Sequence, residues 1–406
     1  MSKRKYGIEY GFATRAVHTG NDVDGETGAI KRPITMANSY ELPYDPSDIN
    51  WSSADGASIY TRNGGSNQKY LQEKIASLED GEDCVVLASG VAALSGLFFA
   101  LLKTGDHVIF SNVTYIAVYR LFNELFKDKW GVETTIVDPQ NIENIRKAIR
   151  PNTKLIHVET PANPTLSVCD IKAIAELAHE NNILFSVDNT FASPYNQRPI
   201  ELGADFSVES LTKYINGHGD AMGGSITGKR EYLDIVRAQS QVNLGAAISP
   251  FNAWLIMRGA VTLPLRMKQH NENALACARY LQSLPCVSFV AYPGLENHPN
   301  HDIAARQMKG FGGVLSFGIK ADHDTHNKFV SNLKVITSAV SLGHDESLIV
   351  FLGEDDERQY LYPEEFHNGF FRFSVGIEDI DDIIGDLEQA FRKTGLLPMT
   401  GLIGCI

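Results

Sequence analysis

The stretch that decides the fold is a strand followed at once by a lysine-bearing loop, Asp205-Phe206-Ser207-Val208-Glu209 and then Ser210-Leu211-Thr212-Lys213-Tyr214-Ile215-Asn216-Gly217-His218. Open α/β sheets bind their ligands at the carboxyl ends of strands, which is where this loop falls. A lysine among small hydroxyl side chains suits a Schiff base with an aldehyde cofactor, and the hydroxyls suit a phosphate. Pyridoxal phosphate (PLP) has both groups. A surface lysine in a loop is the alternative interpretation.

Two further segments favour the cofactor. The buried run Leu184-Phe185-Ser186-Val187 ends in Asp188, and an aspartate can keep the pyridine nitrogen of PLP protonated. Its alternative role is a helix N-cap. Upstream, Ser89 and Gly90 form a turn between an expected strand over 83–88 and a helix over 91–102. The backbone N–H groups of such a turn, including that of Val91, suit a phosphate because they lie at the positive end of the helix dipole.

Ordered motifs match one known family along the whole chain, at residues 12–18, 60–62, 89–93, 161–165, 187–191, 212–214, 217–220, 249–254, 340–343 and 372–376. The chain resembles the PLP-dependent enzymes of Cys/Met metabolism, which include cystathionine γ-lyase, methionine γ-lyase, cystathionine γ-synthase and O-acetylhomoserine sulfhydrylase. Among these it resembles the γ-lyases most. The resemblance implies fold type I, in which a large α/β domain with a mainly parallel sheet precedes a smaller α+β domain. It also implies a homotetramer, a dimer of dimers with active sites shared across each dimer.

The resemblance assigns cofactor roles to residues beyond the lysine loop. Tyr115 stacks on the cofactor ring and helps to expel the leaving group. Tyr115 and Lys213 are therefore the expected catalytic residues. Asn163 lies near the 3-hydroxyl of the cofactor and also near the substrate. Tyr60 and Arg62 reach the phosphate from a neighbouring subunit, and a guanidinium suits that anion because it can bind two oxygens at once.

Arg372 is the expected substrate anchor. In the expected strand over 370–375 it stands between apolar neighbours, and a guanidinium buried there needs an anion. In the family this anion is the substrate α-carboxylate, whereas an internal ion pair with Glu378 is the alternative. The remaining expected substrate-binding residues are Ser341, which also orients Lys213, Leu342, Asn163, Arg120 and His344.

Several departures from the family pattern bear on the substrate. Arg120 stands where members that handle cystathionine keep an arginine, but Val340 replaces a glutamate typical of cystathionine γ-lyases. Ala117 replaces a cysteine typical of methionine γ-lyases. His344 and Asp345 add polar groups. Elsewhere Glu209 replaces the usual histidine, and residues 354–357 form an acidic stretch. Together these changes favour a substrate with a polar distal group and make methionine a poor one.

Composition limits the possible partners. The net charge of −13 argues against nucleic acid and anionic membranes. The basic N-terminus leads into no apolar segment, so we expect no signal peptide and a cytoplasmic protein. Five scattered cysteines indicate free thiols. His298 and His301 have no second ligand pair, so we expect no metal site.

The chain of 406 residues divides by pattern into three parts. Residues 1–60 lack periodicity and indicate an arm, which is expected to contact a neighbouring subunit. Residues 61–250 alternate between strand and helix patterns, as in a parallel sheet covered by helices, and form the expected PLP-binding domain. Residues 251–406 form the expected α+β domain.

The sequence therefore predicts PLP-dependent γ-elimination on a sulfur-containing or O-substituted homoserine-type amino acid. The products would be 2-oxobutyrate, ammonia and the leaving group. Replacement of the γ-group by a nucleophile, as in cystathionine γ-synthase or O-acetylhomoserine sulfhydrylase, remains open because it uses the same residues up to the branch point. A non-catalytic scaffold of the same fold is a further alternative, against which the presence of Lys213, Asp188, Tyr115 and Arg372 argues.

Overall fold

The computed structural model describes residues 4–5, 8–42, 44–45, 47, 59–353 and 356–399. The described part begins with two short antiparallel strands, β1 (Arg4–Lys5) and β2 (Ile8–Glu9), and helix α1 (Phe12–His18). Ala16 of α1 is fully buried in the same core cluster as Leu71 and Ile75. The first helix of the predicted arm therefore packs on its own chain. Contact of the arm with a neighbouring subunit remains a prediction.

Strands and helices alternate through the large domain. Their order is α2 (Ser66–Glu79), β3 (Asp83–Leu87), α3 (Gly90–Leu101), β4 (His107–Ser111), α4 (Ile116–Arg120), α5 (Lys127–Trp130), β5 (Glu133–Val137), α6 (Ile142–Ala148), β6 (Thr153–Glu159), α7 (Ile171–Glu180), β7 (Leu184–Asp188), α8 (Ser193–Asn196), β8 (Phe206–Glu209), β9 (Gly224–Gly228) and α9 (Arg230–Val236). Two π-helical segments, Leu121–Phe126 and Arg237–Asn243, continue α4 and α9.

A seven-stranded sheet with the order β3-β9-β8-β7-β6-β4-β5 is the centre of this domain. Strands β8, β7, β6, β4 and β5 are parallel, whereas β9 is antiparallel to β3 and β8. Strand β4 is buried along its whole length, as expected for strands covered by helices on both faces. The predicted mainly parallel sheet is confirmed. Because β6, β7 and β8 are neighbours, their carboxyl ends lie side by side.

The second part of the chain forms a smaller α+β domain, which confirms the predicted fold class. Its elements are α10 (Pro250–Ala260), α11 (Leu263–Ser283), β10 (Val287–Ala291), α12 (His301–Gln307), β11 (Val314–Ile319), α13 (His323–Asn332), β12 (Thr337–Ser338), β13 (Leu348–Leu352), β14 (Phe370–Ser374) and α14 (Ile380–Lys393). The strands form one sheet, β10-β11-β14-β13-β12, which is antiparallel except between β12 and β13. The C-terminal helix α14 is amphipathic, because its Ile383, Leu387 and Phe391 are fully buried at helical spacing.

Helices α10 and α11 connect the two domains. Met267 in the first half of α11 belongs to a core cluster that includes Leu71 of the large domain and Val314 of the small domain, whereas Ala274 belongs to a second cluster, within the small domain. Pro250 begins α10, because proline is favoured in the first turn of a helix. The domain boundary near residue 250 remains a prediction.

Four of the five cysteines fall among the described residues, and all four are free thiols. Cys84, Cys169 and Cys277 are buried, whereas Cys286 is partly exposed. Cys405 and residues 354–355 of the acidic stretch lie outside the described residues. No helix in the described ranges has the length and apolar character to cross a membrane.

Candidate active site

A cavity of about 500 Å³ lies at the carboxyl ends of β6, β7 and β8, where the small domain meets the sheet. Several of the predicted cofactor-binding residues line this cavity from turns and strand ends. They are Ser89, Gly90, Val91, Asn163, Ser210 and Thr212. The other predicted residues that line it are Lys213, Asp188, Tyr115, Arg372, Ser341 and Leu342. The structure therefore brings residues from the whole length of the chain to one site.

Lys213 points into this cavity from the loop after β8. Its Nζ donates a hydrogen bond of 2.7 Å to Ser341 Oγ, which comes from the small domain. Burial lowers the pKa of Lys213 from 10.5 to about 8, and the nearby charge of Arg372 adds to the effect. A lysine with a lowered pKa has more of its amine neutral near physiological pH, as a Schiff-base lysine requires.

Asp188 ends β7 and is 7 % exposed. Its Oδ1 accepts hydrogen bonds from the backbone N–H (3.1 Å) and the hydroxyl (2.6 Å) of Thr190, which fix the carboxyl group. Burial raises the pKa of Asp188, an effect that the hydrogen bonds from Thr190 offset in part. No described residue donates a hydrogen bond to Oδ2. This oxygen remains available to a cation or an N–H group of a ligand in the cavity.

The turn before α3 provides a place for an anion. Ser89 caps the helix, with its Oγ accepting from the N–H of Ala92 at 3.1 Å, and the first-turn N–H groups of Gly90 and Val91 have no intrahelical partner. Gly90 is required because a Cβ there would lie 2.7 Å from Cβ of Ser210. The turn and the lysine loop thus approach each other, and backbone donors and hydroxyl groups come together.

Arg372 on β14 is partly buried between fully buried neighbours, and it forms no ion pair with any described residue. Its Nη2 donates to the carbonyl oxygen of Ser341 at 2.7 Å and its Nη1 to Oδ1 of Asn163 at 3.2 Å, while Nε has no partner. Glu378, the alternative partner, instead accepts hydrogen bonds from the N–H and hydroxyl of Ser347. A buried guanidinium without a carboxylate is suited to an anionic ligand.

Ser341 links the lysine and the arginine. Its hydroxyl contacts Lys213 and its carbonyl contacts Arg372, and its φ of +83° lies in the left-handed region. A non-glycine residue in this region costs energy and is held there by its surroundings, a feature that concentrates at functional sites. Because of this backbone conformation, Ser341 can direct its two oxygens to two cationic side chains.

Tyr115 lines the cavity and precedes α4. Its backbone N–H donates to Oε2 of Glu159 at 2.5 Å, and the hydroxyl of Thr114 donates to the same oxygen at 3.2 Å. Glu159 Oε1 accepts from the N–H of Asn163 at 2.7 Å. Burial and the nearby Asp188 raise the pKa of Glu159 to about 8. One carboxyl group at the end of β6 thus positions both Tyr115 and Asn163.

The free groups of the cavity correspond to the functional groups of PLP. A lysine amine suits its aldehyde, the free Oδ2 of Asp188 suits its ring nitrogen, and the α3 turn suits its phosphate. Tyr115 offers an aromatic face to the ring. The residues present fit this cofactor.

Four predicted site residues do not line the cavity of this chain. Tyr60 is 40 % exposed, and the exposed Arg62 stacks on its ring at 5.2 Å. Arg120 is exposed and forms an ion pair of 2.8 Å with Glu357. His344 is half-buried against Gly219, and burial, with Lys213 nearby, lowers its pKa.

Several residues that line the cavity had no role assigned from the sequence, among them Thr190, Met222 and Arg358. Thr190 bridges two parts of the site, because its hydroxyl donates to Asp188 and accepts from the N–H of Ser210 at 2.9 Å. Its position two residues after an aspartate is the usual spacing of a local side-chain to backbone bond, so this signal was present. Met222 and Arg358 gave no signal, since their places depend on tertiary contacts.

The fold and the cavity define an enzyme of the PLP-dependent fold type I class. A profile of the family described as Cys/Met metabolism PLP-dependent enzyme matches residues 13–392. The chain belongs to this family.

Relatives and solved structures agree with this assignment. The chain is 53 % identical over 386 residues to a canavanine gamma-lyase of Pseudomonas canavaninivorans, which covers 94 % of this chain and 96 % of the relative. It is 42 % identical over 381 residues to a cystathionine gamma-synthase of Mycobacterium bovis, with coverage of 94 % and 96 %. The crystal structure of metB from Corynebacterium glutamicum superposes with a TM-score of 0.88 at 39 % identity, with coverage of 95 % and 98 %.

The predicted family and cofactor are thus confirmed. The protein is a PLP-dependent enzyme of Cys/Met metabolism with a small amino-acid substrate, and its chemistry is γ-elimination or γ-replacement. The roles of individual residues remain predictions, as does the choice between the two reactions.

Proposed function

We propose that this enzyme catalyses γ-elimination on homoserine-type amino acids whose γ-oxygen or γ-sulfur carries a polar group. Canavanine, in which a guanidino group is attached to the oxygen of homoserine, is our first candidate. The overall reaction consumes one water and releases 2-oxobutyrate, ammonia and the protonated leaving group. The observation that carries the proposal is the desolvated Lys213 beside Arg372, a buried guanidinium with no carboxylate partner among the described residues.

The side chains divide the work by position. Arg372 and Asn163 bind the α-carboxylate and so fix Cα beside Lys213. PLP, when bound, delocalises the electron pair that remains after loss of the Cα proton. Asp188 would accept the N–H of the pyridine ring at Oδ2 and so keep that nitrogen protonated. Lys213 takes the Cα proton and moves protons to and from Cβ, and Ser341 Oγ orients its amine. Tyr115 donates a proton to the departing γ-group.

Two features support elimination and a polar leaving group. The relative at 53 % identity is named a lyase, whereas the named synthase is 42 % identical. The γ-group would leave towards Tyr115, which lines the cavity and offers a hydroxyl. Polar surroundings favour a substrate that can pair with them, because an unpaired polar group in a closed site is costly. Replacement by a nucleophile is the second candidate, and the synthase supports it.

The test is a panel of substrates with identification of the keto acid. Canavanine, cystathionine, homocysteine, O-acetylhomoserine and methionine would each be incubated with the PLP-loaded enzyme, with and without a thiol. We expect 2-oxobutyrate throughout, the highest kcat/KM for substrates with a polar distal group, and little diversion by the thiol. The Lys213→Ala variant is the control. Pyruvate as the main product would exclude the γ-position, and methionine as the best substrate would refute the preference for a polar group.

We further propose that the active site is completed in a homotetramer built from dimers. Tyr60 and Arg62 support this, because both are exposed and lie outside the cavity of their own chain. An arginine stacked on a tyrosine has a fixed orientation and can approach the phosphate of a neighbouring site.

A further inference from the structure

The segment after β13 contains a second buried arginine, Arg358, which differs from Arg372 in that a carboxylate pairs with it. Arg358 is 7 % exposed and lines the cavity, but its charge is already paired. Its Nε and Nη2 donate to the two carboxylate oxygens of Asp356 at 3.0 and 2.7 Å. The Tyr362 hydroxyl donates to the same carboxylate at 2.8 Å, and the guanidinium lies 5.5 Å from the Tyr362 ring centroid. Arg358 is therefore fixed before any substrate binds.

The third nitrogen of the Arg358 guanidinium forms a hydrogen bond with the large domain. Nη1 of Arg358 donates to the carbonyl oxygen of Thr114 at 2.5 Å. Thr114 lies between β4 and α4, directly before Tyr115, so its carbonyl is not used by a strand or a helix. A charge-assisted hydrogen bond to a carbonyl oxygen is stronger than a neutral one. The small domain thus holds the backbone of the large domain beside Tyr115.

Glu159 holds the same short segment from the opposite side. It accepts from the hydroxyl of Thr114 and from the N–H of Tyr115. The peptide group between Thr114 and Tyr115 is therefore bound at both of its polar atoms, the N–H by a carboxylate of the large domain and the carbonyl by a guanidinium of the small domain. A peptide fixed at both ends gives the tyrosine that follows a defined orientation.

We propose that Arg358 is a positioning residue for Tyr115, which it places over the reaction centre by fixing the Thr114 carbonyl from the small domain. Asp356 takes part because it holds the guanidinium in place. The consequence is a coupling between the docking of the small domain, which also carries Arg372 and Ser341, and the orientation of Tyr115. This inference rests on the proposed function, since it presumes the role of Tyr115 at the departing γ-group.

Four variants of the PLP-loaded enzyme test the role. Arg358→Gln removes the charge, Arg358→Lys retains it without the planar fork, and Asp356→Asn releases the guanidinium. Tyr360→Phe is the matched control on the same segment, because it removes only an exposed hydroxyl contact of 3.0 Å with Tyr119. For each variant kcat and KM would be measured on the best substrate of the panel, together with the visible circular dichroism of the bound cofactor.

We expect Arg358→Gln to lower kcat about 10- to 100-fold, the effect of losing one charge-assisted hydrogen bond, with KM changed far less. Asp356→Asn should act in the same direction. Arg358→Lys should fall between these variants and the wild type, because an ammonium cannot bind carboxylate and carbonyl with the same geometry. The dichroism band should change in Arg358→Gln and Asp356→Asn and stay the same in Tyr360→Phe.

Three results would overturn the proposal. They are a wild-type kcat in Arg358→Gln, a rise in KM alone, which would indicate direct substrate binding, and an equal loss in Tyr360→Phe. If Arg358→Gln does not fold, Arg358→Lys and Asp356→Asn decide between the same outcomes. If the wild type releases no keto acid, the proposed function is wrong, and the dichroism comparison still decides whether Arg358 orients Tyr115.

Discussion

Glu79 and Glu209 form a buried pair of carboxyl groups behind the active-site strands, and this pair should make stability depend on pH. Glu79 is 0 % and Glu209 1 % exposed. The two carboxyls face each other, and Glu209 Oε1 also accepts from the amide of Asn189, the neighbour of Asp188. Neither oxygen of Glu79 has a well-placed donor among the described residues. Two negative charges in such a place repel, so the pair must retain a proton.

The size of the effect follows from the shift in pKa. Burial raises the pKa of Glu79 from 4.5 to about 7. Burial also raises the pKa of Glu209, and the nearby charge of Glu79 raises it further. Between pH 4.5 and 7 the folded state therefore binds more protons than the unfolded state, and stability falls as pH rises. At about 1.4 kcal/mol per pH unit, Glu79 alone accounts for a loss of about 3 kcal/mol. The contribution is complete below pH 4.5 and is lost above pH 7.

The perturbation is Glu209→Gln, which keeps an acceptor for Asn189 and offers an amide donor to Glu79. In the variant residue 209 no longer titrates, so only the burial of Glu79 still makes stability fall with pH. Melting temperatures of wild type and variant would be measured from pH 5 to 8, with and without PLP. The wild type should lose on the order of 5 °C more than the variant over this range. Glu133→Gln, which removes a carboxylate from an exposed pair with Arg150, is the control and should change little. Parallel curves for the wild type and Glu209→Gln would refute the reasoning.

Two further predictions concern the cofactor and the assembly. The rate at which the apo-enzyme takes up PLP should rise with pH and level off above about 8, because burial lowers the pKa of Lys213 and the neutral amine is the reactive form. Stopped-flow absorbance would measure this rate. A plateau reached only near the ordinary pKa of lysine would contradict the desolvation of Lys213. Arg62→Ala should weaken PLP retention, and mixed oligomers of Arg62→Ala and Lys213→Ala should regain activity, since one of the two mixed sites is then intact. No complementation in verified mixed dimers would mean that each site is built from one chain.

Most of the site could be read from the sequence because its residues follow strands. Asp188 and Lys213 come after the buried runs of β7 and β8, and parallel neighbours bring their ends together. The role of Arg372 could be predicted because a guanidinium between the apolar residues of a buried strand requires an anion. Arg358 could not, since it lies in an irregular segment whose neighbour in space, Thr114, is more than two hundred residues away in sequence. Its role depends on a contact that no periodicity encodes.

Glu209 shows a second limit of prediction from the sequence, which is that the partner of a buried charged group cannot be identified. The sequence marks it as a departure from the histidine of the family, but its partner Glu79 ends the distant helix α2. Whether a buried glutamate is paired with a cation, an amide or another carboxyl depends on this tertiary neighbour. The pattern of β8 predicts only that residue 209 lies next to Ser210. The pKa of the pair therefore follows from the fold and not from the local sequence.

The two arginines in the cavity show how a buried guanidinium indicates its function. Both are desolvated, and both line the same space. Arg358 has a carboxylate on two of its nitrogens, so its charge is satisfied and its remaining donor can hold a backbone carbonyl. Arg372 has only a carbonyl and an amide oxygen, and one nitrogen has no partner. Its charge is balanced only when an anion enters. An amino-acid substrate therefore gains most of its carboxylate binding at Arg372, whereas Arg358 contributes through the geometry of Tyr115.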